Sequence, residues 1–199
     1  MPTSIDLGNI VADALGEGRP RVQLQLKRIR AADLISFKGY GRGAARMESL
    51  DAARLIIAVA GSLFATDALE ALIRFKDLLG TSPKGSGRVL DAFLAERINV
   101  IRAGSDPALS DLPGRHRNPA GEAALKLIWA GPDGTASASA AVVRWFRNDG
   151  KTDAATFASD PSWGLVLDEG RFVAASGHGR LVRSAVVPTG ALQKIARSL

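Results

Sequence analysis

The hydrophobic period of this chain changes once, from helical to strand-like, and that change limits the folds open to it. As far as Ala103 the apolar residues recur three and four apart, and beyond Gly121 they mostly alternate. The segment between, GSDPALSDLPGRHRNPAG from Gly104 to Gly121, holds three prolines, three glycines and no sustained period. It reads as a linker or long surface loop. The expectation is an α+β chain: a mostly helical domain over 1–103, a linker over 104–121, and an α+β domain over 122–199.

In the first part Thr3 to Leu15 opens on a Thr-x-x-Asp capping box and carries Leu7, Ile10, Val11, Ala14 and Leu15 at helical spacing. Gly16-Glu17-Gly18 ends it, and Pro20 suits the first turn of a second helix, Pro20 to Leu34. Val22, Leu24 and Leu26 alternate like a strand, but Val22, Leu26 and Ile29 share one helical stripe and Gln, Leu, Lys and Arg favour helix. Leu24 falls off that stripe. Ser36 to Met47 places Gly39, Gly41 and Gly43 at every second position, the pattern of a turn or hairpin tip. A helix from Ser49 through LDAARLIIAVAG is apolar nearly all round and belongs at the centre of a core. Helices over Thr66 to Leu79 and Gly87 to Arg102 complete this part.

Five runs in the second part read as strands: Ala123–Ala130, Ser137–Arg147, Trp163–Asp168, Arg171–Ser176 and Arg180–Val187. Turn chemistry separates neighbours at Pro-Asp-Gly 132–134, Asn-Asp-Gly 148–150 and Asp-Glu-Gly 168–170. Thr189 caps a closing helix, Gly190 to Ser198. Trp129, Trp145 and Trp163 all lie in this half, where large aromatics fill a sheet–helix core.

Charge is distributed unevenly. Arg19 to Arg46 holds eight Lys or Arg against Asp33, while the whole chain carries only +6, so the rest is close to neutral. A sequence pI near 10.2 points to an anionic partner, commonly nucleic acid. Arginine and lysine neutralise phosphates, and glutamine and arginine present forked groups to base edges. Arg21, Gln23, Gln25, Lys27, Arg28 and Arg30 supply both types on the second helix. Lys38, Arg42 and Arg46 flank Gly39, Tyr40 and Gly41, where side-chain-free backbone N–H groups can approach a phosphate. Tyr40 either stacks on a sugar or base or packs over its own turn. The other reading of the stretch is a solvated basic helix face beside an ordinary glycine turn.

Helix, glycine turn, basic helix, glycine-rich basic hairpin and a further helix together resemble a helix-turn-helix or winged-helix DNA-binding domain over the first 60 or so residues. The resemblance implies a recognition helix, Pro20 to Leu34, in the major groove of duplex DNA and a wing, Phe37 to Met47, against its backbone. The family's additional helix has no counterpart between Leu15 and Pro20. The tract from Leu34 to Ala60 is similar to tracts in uncharacterised bacterial and prophage proteins.

Catalysis and metal binding find little support. The chain has no cysteine and two histidines, His116 and His178, far apart and with no Gly-x-Ser-x-Gly elbow. Gly80 to Gly87, GTSPKGSG, lacks the Gly-Lys-[Ser/Thr] ending of a phosphate loop. No basic n-region precedes an apolar run, and no run approaches the ~20 residues of a spanning helix. The expectation is a cytoplasmic DNA-binding protein without cofactor, metal or membrane partner, a transcriptional regulator rather than an enzyme. The alternative is a phage-like structural or DNA-packaging component that forms homo-oligomers.

Overall fold

The computed structural model describes residues 2–36, 46–106, 119–130, 138–176 and 181–199. The α+β class expected from the change of period is the one adopted. Among the described residues there are seven helices, mostly N-terminal, and a five-stranded antiparallel sheet. None of these helices is long and apolar enough to cross a membrane.

Local signals set the first helices. Helix α1 (Ser4–Leu15) begins at the capping box of Thr3 and Asp6 and ends at Gly16, whose left-handed φ of 70° lets its N–H reach the Ala12 carbonyl. Two residues on, α2 (Arg19–Ala31) starts with Pro20 in its first turn. Its buried stripe is Val22, Gln25, Leu26 and Ile29, so the helical reading holds and Leu24, 44% exposed, points away from it. Helix α3 (Ser49–Gly61) is buried on almost every side through Leu55, Ile56, Ile57, Ala58 and Val59. Helices α4 (Ala68–Lys76) and α5 (Leu90–Arg102) pack against it, with the two-residue strand β1 (Leu79–Gly80) between them in sequence.

The sheet follows in the order β1-β4-β3-β2-β5. Strands β2 (Ala123–Ala130), β3 (Ser139–Phe146) and β4 (Thr152–Ala158) form a meander. Strand β5 (Val182–Pro188) returns beside β2, as in a Greek key. Helix α7 (Thr189–Ser198) closes the chain against α1 and α5. Leu125, Leu127 and Trp129 of β2 share one core with the helices, whereas Ile128 and Ala130 face the other way. There they meet Val166 and Phe172, the latter from the short helix α6 (Glu169–Ser176). Among the described residues α3, α4, α5 and α7 pack on one face of the sheet and α6 on the other.

The structure departs from the expected strands in three places. Trp163–Asp168 is not a strand: it leaves a turn of 3-10 helix at Pro161–Trp163 and continues irregularly. Arg171–Ser176 belongs to α6, because Asp168 accepts the Arg171 N–H at 2.9 Å and caps a helix where a hairpin was expected. The third antiparallel partner is β4, TDAATFA, whose single large apolar side chain, Phe157, had given no strand signal. Asn148-Asp149-Gly150 is a hairpin turn as expected, but it joins β3 to β4. Arg147 N–H bonds Lys151 O at 2.8 Å, and Gly150 takes φ 73°. The turn expected at 132–134 lies outside the described residues.

The expected boundary at 104–121 separates the sequence but not the core. One hydrophobic cluster runs from Leu7 on α1 to Ala196 on α7 and includes residues of both halves. Phe75 of α4 meets Trp129 of β2 edge-on at 5.7 Å between ring centroids, and Phe93 of α5 lies 5.3 Å from Phe157 of β4 and 5.8 Å from Trp145 of β3. Trp163 packs instead on the far face, against Phe172.

On that far face Glu169 accepts Lys126 Nζ at 2.7 Å and is also bonded by Ser184. The lysine first, and the serine after it, hold the carboxyl down at about 2 against an ordinary value of 4.5. A lowered folded-state value means that the contribution is complete above the ordinary range and is lost as pH falls towards 2. The Glu169 side chain keeps 41% of its surface in solvent, and screening limits the pair to about 1 kcal/mol. Glu169→Gln is expected to lower unfolding free energy by roughly that amount near pH 7 and to converge on the wild type in strong acid. Urea denaturation at the two pH values measures the difference.

Candidate nucleic-acid interface

The side-chain contacts along α2 set its direction. Arg19 meets Asp13 at 2.7 Å, Gln23 Nε2 donates to Ile5 O at 2.9 Å and to Asn9 Oδ1 at 3.1 Å, and Arg30 Nη1 reaches Ser4 Oγ at 3.3 Å. Residues late in α1 therefore pair with residues early in α2 and the reverse, so the two helices form an antiparallel hairpin in contact along its length. Helix α3 runs antiparallel to α2 by the same test. Gln25 Nε2 donates to Ser62 Oγ at 2.8 Å at one end, and Arg54 Nη1 to Leu34 O at 3.0 Å towards the other. Ser49 bonds Asn99 at 2.6 Å and Arg54 bonds Asp91 at 2.9 Å, which makes α5 antiparallel to α3. One end of the helical layer consequently gathers the C-termini of α2 and α5 with the N-termini of α1 and α3.

Four exposed cations collect at that end: Lys27 and Arg28 on α2, Arg46 just before α3, and Arg102 in the last turn of α5. None of the four makes an ion pair among the described residues, in contrast to Arg19, Arg21 and Arg54. Lys27, Arg28 and Arg102 also stand where a positive charge is favoured by the helix C-terminus. The acids of this end are mostly tied to backbone. Asp6 accepts the Thr3 N–H, which first among its causes lowers its pKa, and Asp51 accepts the N–H groups of Ser36 and Glu48 at 2.9 Å. Asp33, exposed and at φ 56°, follows α2.

The remaining expected contact residues have other positions. Gln25 is fully buried, with Nε2 on Ser62 and Oε1 without a partner, so it cannot read a base edge. Gln23 is spent on α1, where its amide lies so close that a Cβ on Gly8 would come within 2.5 Å of its Nε2. Arg21 pairs with Glu17 at 2.8 Å and donates to the carbonyls of Ser62 and Leu63, closing the C-terminus of α3. These three are corrected from surface to structural roles, and the reason is common to them: α2 has a neighbour on both flanks, so its polar rows meet protein. Arg30 is half-buried against Ser4. Lys27, Arg28 and Arg46 are presented to solvent as expected, while Lys38, Gly39, Tyr40, Gly41 and Arg42 lie outside the described residues.

Arg102 is the residue that sequence reasoning missed. Its signal was present, an arginine off the apolar side of Leu90, Phe93, Leu94, Ile98 and Ile101, but its proximity to Arg46 depends on α5 lying antiparallel to α3.

A second concave feature is charge-balanced. A cleft of about 450 Å³ between α5 and the β3–β4 hairpin is lined by Arg97, Asp106, Trp145, Arg147 and Asp149. Arg97 lies 4.8 Å over the Trp145 ring and pairs with Asp106, and Arg147 pairs with Asp149 at 3.1 Å. Each cation there already has its anion. Among the described residues no group of acids and histidines is arranged to hold a metal ion, and both histidines lie outside them.

Family models, characterised proteins and solved structures yield no match to this chain, so its chemistry is read from the site itself.

Proposed function

We propose that the protein is a binding protein rather than an enzyme, and that it holds duplex DNA by the phosphate backbone at the basic end of its helical layer. The observation that carries this reading is the convergence of Lys27, Arg28, Arg46 and Arg102 from separate elements with no acid paired to any of them among the described residues. Unpaired surface cations gathered at one end supply the counterion-releasing contacts on which non-specific DNA binding rests. In the sequence the basic, glycine-rich residues 37–45 lie between α2 and α3.

Sequence readout is another matter. With Gln23, Gln25 and Arg21 engaged inside the protein, α2 keeps no free forked amide for a base edge. That favours a cytoplasmic protein that handles DNA with little sequence preference, as a structural or packaging component would, over a regulator selecting an operator.

The test is a salt titration of affinity on two duplexes of unrelated sequence. The wild type should bind both with a steep, shared salt dependence, and replacing Lys27, Arg28, Arg46 and Arg102 together by alanine should flatten the slope by about 3.6. Absence of binding at low salt, or an unchanged slope in the variant, would overturn the reading. A strong preference for one duplex would restore the regulator.

A further inference from the structure

Strand β5 ends the sheet: β2 pairs with one of its edges, and among the described residues no strand pairs with the other. The opposite margin of the sheet is closed. There β1 and the loop after it lie along β4, with Thr81 N–H on Thr156 O at 2.8 Å and Ser82 Oγ accepting the Thr156 N–H at 3.0 Å. Among the described residues strand β5 has no such cover, and its own sequence has little of what blunts an open edge. Its sequence, VRSAVVP, carries one charge, Arg183, and its proline comes last.

A hole and a knob lie along this edge. The hole is a groove of about 290 Å³ between Ala185–Pro188 and the C-terminal ends of α1 and α3, walled by Leu15, Val59 and Ala60 with Glu17 and Ser62 at its polar side. The knob is Leu181, directly before the strand and 74% exposed. Alternation places Leu181 on the same face of the strand as Val187, which lies in the groove.

We propose that two copies of the chain pair antiparallel through β5 about a two-fold axis at Ser184, joining their sheets into one. With Ser184 opposite its counterpart, residue 181 of one copy stands opposite residue 187 of the other. Each Leu181 then fills the groove of its partner. Arg183 comes opposite Ala185, so the register sets no cation directly against another. Such an interface is self-complementary, as a two-fold contact requires. It lies at the end of α1 and α3 away from Lys27, Arg28 and Arg46, so its failure and the failure of DNA binding are separable.

The chain has no cysteine, which provides a direct test. Ser184→Cys puts its thiol opposite an identical one, within the Cα separation of roughly 4.4–6.8 Å that a disulfide needs. Mild oxidation should give a covalent dimer in high yield, whereas Leu165→Cys, also exposed but on a loop, should not. Sedimentation of the wild type at micromolar concentrations should show a dimer, and Leu181→Glu should weaken it by at least about tenfold with unchanged circular dichroism. A wild type that stays monomeric would leave the groove to a peptide of some other protein and would overturn the proposal. A dimer indifferent to Leu181→Glu, or a Ser184→Cys cross-link no better than the control, would overturn it equally.

Discussion

Phe75→Ala is expected to destabilise the protein by about 3–5 kcal/mol and to lower the stability of both halves of the chain together. Phe75 has no exposed surface. One side of its ring lies on the backbone of Gly61, where even a Cβ would come within 3.1 Å, and it meets Trp129 of β2 in a T-shaped contact. Removing the ring therefore opens a cavity between α3, α4 and β2, and neither a helix nor a paired strand can move in alone to fill it. All three tryptophans lie beyond residue 121, whereas most of the helix lies before it. Tryptophan fluorescence and far-ultraviolet circular dichroism thus report largely different halves. In urea the two probes should give one coincident transition in wild type and variant, shifted to lower denaturant in the variant. Two separated transitions, with only the helical signal displaced, would mean that the halves unfold independently despite their shared core.

What the sequence made legible was local. The capping box of Thr3 and Asp6, the stripe of Val22, Leu26 and Ile29, the all-round apolar α3 and the alternation of β2 each depend on residues within one or two turns of each other. What it hid was set by distant neighbours. RFVAAS has a pattern compatible with a strand, and the capping carboxylate of Asp168 together with the burial of Phe172 beneath the sheet decides for helix. The chain of β4 is too poor in large apolar residues to announce a strand, yet it sits between β1 and β3 with Thr156 fully buried. For the candidate interface the same division holds. Periodicity assigns polar residues to solvent, which is right for Lys27 and Arg28 and fails for Gln25, because nothing in the sequence of α2 says that Ser62 waits on its flank. Arg102 joins the surface only through the packing of α5 on α3.

Gly80→Ala should be among the most damaging single methyl additions available to this chain. A Cβ at Gly80 would stand 1.9 Å from the carbonyl oxygen of Gly85 and 2.2 Å from its carbon. Both atoms are backbone, so no rotamer change relieves the overlap, and one of the two segments has to move. Neither is free to do so. Gly80 N–H bonds Arg88 O at 3.0 Å, Thr81 N–H bonds Thr156 O, and Gly85 lies against Phe157 and the Thr156 carbonyl. Gly80 and Gly85 of the GTSPKGSG segment are thus explained by two backbones crossing at the margin of the sheet. The substitution is expected to cost about 3 kcal/mol, the upper part of the range for overpacking. It should also speed hydrogen exchange at Gly80 and Thr81 as β1 parts from β4. Gly87→Ala is the control, since Gly87 has φ 75° but open space around a Cβ, and only the conformational penalty of about 1 kcal/mol should appear. Equal costs for the two variants, measured by urea denaturation, would show that the crossing yields easily and that β1 is not a fixed part of the sheet.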